Sequence, residues 1–187
     1  MLKHLNTIWL AMGVIMLIAF LVNPDIVHRE VIAEFLDGLG AIAFFVYVLM
    51  SLGRAAVLIP CTPLVLAGSI AFPEWEIQVF VTSIAGIVVG SFLVYSFPAL
   101  GSYDEFLESK YPKQIATIKE KMRSKYAYLF VAGWSFFPLV PTDAICYVAG
   151  IAKMSYKKMV TAVVIGELPI VSFYIFVGAE IGEWLRA

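Results

Sequence analysis

Charge is what this chain lacks most. Only 14% of its 187 residues are Asp, Glu, Lys or Arg, where a soluble domain carries about 25%. The formal net charge is -1, so no nucleic-acid partner is implied. Cysteine and histidine are as scarce. Cys61 and Cys146 both lie inside apolar runs, no C-x-x-C is present, and His4 and His28 are the only histidines. That set does not make a usual zinc site, and no metal or cofactor is expected. What the chain has instead is apolar surface: 61% hydrophobic residues and a mean hydropathy of +0.90. This composition reads as an integral membrane protein, and the length allows one domain.

Six apolar blocks run along the chain, at 8–22, 39–53, 55–72, 77–97, 126–150 and 157–178. The first follows Lys3 and leads into Asn23-Pro24-Asp25, with no small-residue cleavage pattern. We read 1–24 as a retained N-terminal transmembrane helix rather than a signal peptide. Blocks 77–97 and 157–178 are long enough to span, since a full crossing takes about 20 apolar residues. The others divide poorly into full spans. They carry paired prolines, Pro60 and Pro63 in one and Pro138 and Pro141 in the other, and each pair is followed by Ala-Gly, at Gly68 and at Gly150. Proline removes a backbone donor and blocks the preceding helical turn. In lipid such a break survives only where protein buries it or a wet cavity reaches it. The expected structures are two re-entrant helical hairpins, with Gly68 and Gly150 letting the arms pack closely.

Two polar segments separate these blocks. Residues 25–38 are acidic on balance and place Val31, Phe35 and Leu39 on one side at helical spacing; residues 102–125 are basic, with Phe106, Leu107, Ile115, Ile118 and Met122 as an apolar side. Both read as helices lying in the interface, a solvated charged loop being the alternative. Basic loops accumulate on the cytoplasmic side, which puts 102–125, Lys153, Lys157 and Lys158 inside, and 25–38, Glu74, Glu76, Glu180 and Glu183 outside. One path satisfies this, and it repeats itself: interfacial helix, proline-broken hairpin, spanning helix, with opposite orientation in the two copies. The expected fold is therefore an all-α integral membrane protein, an inverted repeat of two re-entrant hairpins plus spanning helices. Such a repeat places a site near the bilayer midplane.

Ionisable residues at that depth are expensive and mark candidate sites. Asp143 reads as a proton-titrating or headgroup-sensing carboxylate, or as the N-cap of the half-helix after the break. Glu167 lies mid-helix in the last span, with Pro169 beside it. Arg54 stands at the turn of the first hairpin. It is a candidate to bind a lipid phosphate, to pair with Asp143 or Glu167, or to snorkel to the interface. Trp9, Trp75 and Trp184 fall at expected interfaces; Trp134 lies by the second hairpin, as core packing or as the wall of a path for an acyl or prenyl chain. Pro60-Cys61-Thr62-Pro63, with Cys146 as partner, also admits a membrane thiol–disulfide exchanger. That reading lacks a cation near Cys146 to activate it.

Phe137-Pro138-Leu139-Val140-Pro141-Thr142-Asp143 running on to Ala149-Gly150, followed by Ser155-Tyr156-Lys157-Lys158-Met159 and Gly166-Glu167-Leu168-Pro169, resembles the DedA / VTT-domain family of membrane proteins, also called the SNARE-associated Golgi protein family. Pro60 to Gly68 is a weaker match to its first hairpin. The resemblance implies a VTT/DedA-like membrane domain over 25–180, in halves 25–100 and 101–180. It also implies a multi-pass protein of a prokaryotic inner membrane with a lipid as partner, a polyprenyl phosphate or a phospholipid, and oligomers are compatible with it. The implied function is transport rather than catalysis: flipping or scrambling a phosphate-bearing lipid between leaflets, with proton coupling as an option. A non-transporting scaffold is the remaining alternative. The chain departs from the family in two places. Ser135 stands where many relatives carry an arginine, and Thr62 and Pro63 stand where many carry an acid.

Overall fold

The computed structural model describes residues 29–137 and 140–177, together with Ile8, Trp9, Ala11, Ile15 and Ile18. The described residues are helical with short connections and contain no strand. Among the described residues from Arg29 onward, nine α-helices follow in order: α1 (Arg29–Asp37), α2 (Ala43–Gly53), α3 (Cys61–Ala71), α4 (Glu76–Ser96), α5 (Tyr103–Lys110), α6 (Pro112–Arg123), α7 (Ala127–Phe136), α8 (Thr142–Ile151) and α9 (Tyr156–Ser172). Extra turns lengthen α4 and α9, giving apolar helical stretches of 28 residues at Pro73–Leu100 and 22 residues at Tyr156–Val177. At 1.5 Å per residue even the shorter reaches about 33 Å, enough for a hydrocarbon core of about 30 Å. The helices α2 and α3 have 11 residues each, α7 and α8 have 10. Each reaches only about 15–17 Å.

Both proline breaks are present. After α2 the chain makes a 3-10 turn at Arg54–Ala56, enters the left-handed region at Leu58 (φ 59°), and extends through Pro60 (φ -58°, ψ 147°). Pro63 does not break anything. It occupies the first turn of α3, where a missing N–H costs no helical bond. In the second half Phe137 and Pro141 are extended (ψ 117° and 114°), and α8 begins at Thr142. Pro138 lies outside the described residues, as do the C-terminal Glu180, Glu183 and Trp184 and most of the expected first span. The expected capping role of Asp143 is corrected: Pro141 holds the N-cap position of α8, and no side chain caps it.

Helix packing pairs the elements in a regular way. The arms α2 and α3 lie on α4, α7 and α8 lie on α9, and α4 packs on α9. The main packing of α8 is on α4 rather than α9, and α3 touches the π turn Phe173–Val177 that ends α9. Glycines permit the closest approaches. A Cβ on Gly86 would stand 2.6 Å from the Ser51 carbonyl of α2, and one on Gly166 would meet the Ala132 carbonyl of α7. Gly68 does bring α3 close to α2, with a Cβ there 2.5 Å from the Tyr47 ring. Gly150 does not do the same for α8 and α7. It faces the Tyr95 carbonyl of α4, so it seats α8 on that long helix.

Apolar residues cover the outside of this bundle. Ile77 is 70% exposed and Leu129 67%, with Val81, Phe92, Phe130, Ile165 and Phe173 more than half exposed. A surface of that kind belongs against lipid tails. The helix α1 buries Ile32, Ala33 and Leu36 and packs on α3, while Val31 and Phe35 are exposed. The packed face is thus the neighbour of the one that periodicity singled out. In α5 and α6, Ile115 and Met122 are buried and Phe106 is exposed. Asp104, buried, forms an ion pair with Lys153 at 3.1 Å, which ties α5 to the loop between α8 and α9. The hydrogen bond and charge of Asp104 hold the Lys153 ammonium above its usual pKa.

Trp9 is buried against the same junction of the two halves. Its ring stacks on Phe97 at 4.1 Å and its Nε1 donates to the Ala56 carbonyl at 3.0 Å, beside the turn of the first hairpin. Trp9→Phe keeps most of the stack and drops the hydrogen bond. A loss of about 1 kcal/mol is expected, read as a lowered denaturation midpoint in detergent.

Candidate functional site

The two breaks bring their polar groups together. Arg54 sits in the 3-10 turn after α2 with its side chain 4% exposed. Its Nη1 donates to Asp143 Oδ2 at 3.0 Å and to the Ile59 carbonyl at 3.2 Å. The second acceptor follows from sequence. Ile59 precedes Pro60, the N-cap of α3, so its carbonyl has no partner within that helix. The break thus frees a carbonyl at the place where the guanidinium needs one. A snorkelling role for Arg54 is excluded by this burial.

Asp143 lies in the first turn of α8, where the positive end of the helix dipole favours an anion. Its side chain keeps 18% exposure. Thr142, one residue before, donates its Oγ1 to Glu167 Oε1 across a short contact. Glu167 is 5% exposed and projects from the middle of α9. Adjacent residues at one helix start therefore link the first hairpin, through Arg54, to the second long helix, through Glu167. The cluster holds one guanidinium and two carboxylates. Trp134 Nε1 donates to the Pro141 carbonyl at 3.3 Å, so this ring braces the second break.

Three of the residues singled out from sequence, Arg54, Asp143 and Glu167, thus meet. The prolines and glycines do not join the cluster: Pro60, Pro63 and Pro141 shape the backbone beside it, and Gly68 and Gly150 set helix separations. Thr142 was missed. Its signal was a hydroxyl next to an acid just after a helix break. Ser135, which stands where an arginine is expected, is 1% exposed on α7 with its Oγ unpartnered. A Cβ on Gly166 would lie 2.8 Å from the Ser135 Cβ, so that position is packed closely, and the cluster's cation comes from the other half as Arg54.

Both cysteines are free, Cys61 partly buried and Cys146 buried. Neither is bonded to the other, and nothing in this arrangement favours thiol exchange. Among the described residues no group of three or more His, Cys, Asp or Glu could hold a metal ion.

The family model of the VTT domain matches residues 59–180. That range begins inside the first break and takes in α3 to α9, including Asp143 and Glu167 but not Arg54. No curated protein matches the chain, and no solved structure does. Apolar helices of spanning length, a buried ionic cluster between two broken helical pairs and a family match over most of the sequence agree, and the chain belongs to the VTT-domain family, the DedA family of membrane proteins.

Proposed function

We propose that this protein is a multi-pass transporter of a prokaryotic inner membrane that moves a phosphate-bearing lipid, a polyprenyl phosphate or a phospholipid, from one leaflet to the other. The observation that carries the reading is the Arg54–Asp143 pair, joined between two broken hairpins with Glu167 close by. The half-length of α2, α3, α7 and α8 and their packing on α4 and α9 support hairpins that enter the membrane and return, related as an inverted repeat. A guanidinium recognises a phosphate through paired donors. Asp143 would hold that guanidinium between transport events and release it to the headgroup, while the acyl or prenyl tail stays in the bilayer. The cluster has one more acid than base, so uptake of one proton brings it to neutrality. That count supports a proton-coupled step. The work asked of these residues is binding and release, not bond chemistry.

The test is lipid flipping in proteoliposomes, with a fluorescent phospholipid in one arm and a short polyprenyl phosphate in the other. Wild type should accelerate transfer of at least one. Asp143→Asn and Glu167→Gln should each slow it by about tenfold or more, the cost of one hydrogen bond to a charged group. Wild-type rates in both variants would remove the proposed site. No transfer by wild type, with cellular function sensitive only to changes in 102–125, would favour the scaffold reading.

A further inference from the structure

Behind Arg54, on the side of the first hairpin, a cavity of about 10 Å³ is lined by Ser51, Arg54, Cys61, Leu64, Val65 and Ser83. Ser51 on α2 and Ser83 on α4 are 3% and 4% exposed. Ser83 Oγ has a partner, the Tyr47 hydroxyl at 3.1 Å. Ser51 Oγ is buried and makes no hydrogen bond of acceptable geometry, although it lies beside the same tyrosine. Arg54 brings five N–H donors, and its bonds to Ile59 and Asp143 both leave from Nη1. Polar groups with spare capacity thus line one small space whose remaining walls are Leu64, Val65 and Cys61. A buried hydroxyl left unpaired costs about 1–3 kcal/mol.

We propose that this space is a binding seat for one water molecule, held by Ser51 Oγ, Ser83 Oγ and the Arg54 guanidinium. The volume fits about one water, and a buried water usually makes about three hydrogen bonds. Its oxygen accepts from Arg54 and from one serine, and it donates to the other. A phosphate is too large for a space of about 10 Å³. A metal cation is wrong too, because Arg54 stands in the wall. The water extends the polar network from Asp143 through Arg54 to Tyr47, a distance of seven residues along α2 or about 10 Å. It holds the guanidinium at a point other than its contact with Asp143, which does not line the space. Ser51 and Ser83 are then positioning residues: they fix where Arg54 waits when Asp143 releases it. This last step rests on the transport reading above; the water seat does not.

The experiment is a structure of the full-length protein in lipid nanodiscs at a resolution that shows ordered water, paired with flipping rates in proteoliposomes for wild type, Ser51→Ala, Ser83→Ala and Asp143→Asn. We expect a water peak within hydrogen-bond distance of Ser51, Ser83 and Arg54. Each serine variant should flip about fivefold to tenfold more slowly, as a weakened hydrogen bond to a charged group requires. Ser51→Ala added to Asp143→Asn should slow it no further, because both act through Arg54; a merely structural loss would add. A dry cavity, or Ser51 Oγ turned onto the carbonyl of Tyr47 in its own helix, overturns the seat. Wild-type rates in both serine variants, or additive losses, overturn the positioning role. If wild type moves no lipid, the transport reading and the positioning role fall together, and the density still decides the seat.

Discussion

Arg54→Met will denature well below wild type. The substitution leaves Asp143 facing an apolar interior with no cation, and breaking a buried pair from one side costs about 3–5 kcal/mol. Asp143 keeps 18% exposure, which places the cost near the lower end of that range. The double variant Arg54→Met/Asp143→Leu should regain most of the lost stability, since an apolar pair of similar volume often replaces an ion pair without penalty. It should regain no transport. Denaturation in detergent micelles followed by tryptophan fluorescence reads the first result, and proteoliposome flipping the second. A single variant as stable as wild type would mean that water, not Arg54, solvates Asp143.

Gly150→Val should be nearly as damaging, for a different reason. The new Cβ would sit inside contact distance of the Tyr95 carbonyl, and main chain held in the packed last turn of α4 cannot turn aside as a flexible side chain would. Overpacking of this sort costs about 1–3 kcal/mol, and here it acts where α8 meets α4. The same junction carries the Tyr95 hydroxyl bond to the Met154 carbonyl at 2.5 Å, which separation of the helices would break. Gly133→Ala is the control. Nothing lies within 4 Å of a Cβ there, and an alanine inside α7 should be neutral or gain up to about 1 kcal/mol. Denaturation midpoints and monodispersity in size-exclusion chromatography separate the two. Equal behaviour of the variants would contradict the packing described for Gly150.

The breaks were legible because proline acts locally. Pro60 and Pro141 stand in extended backbone directly before a helix start, and no distant contact is needed to expect that. The span expected at 77–97 and the helix found at Glu76–Ser96 differ by one residue at each end, because a long apolar run in lipid has no competing structure. Arg54, Asp143 and Glu167 stood out for a related reason: charge inside an apolar run is costly and therefore rare. Which of them pair was not legible, since Arg54 and Asp143 are 89 residues apart and only tertiary packing joins them. Ser51 and Ser83 were invisible, and Thr142 had only its place beside an acid after a break to mark it. A serine or threonine in an apolar helix can satisfy itself on the carbonyl four residues back, as Ser91 and Ser172 do here. Nothing in the sequence marks the serines that reach elsewhere. Pro63 misled by pattern. It pairs with Pro60 in the string of residues, yet it falls inside the first turn of α3, where it interrupts no helix.

The central contact is that of Arg54, in the turn after α2, with Asp143 at the start of α8. Solid-state NMR in proteoliposomes measures that contact directly, as the dipolar coupling between nitrogen-15 in the Arg54 guanidinium and carbon-13 in the Asp143 carboxylate. We predict a strong coupling, consistent with the 3.0 Å contact between Nη1 and Oδ2, which vanishes in Asp143→Asn prepared without the carboxylate label. A wild-type coupling too weak for direct contact would contradict the account, because the two breaks would then not share a site.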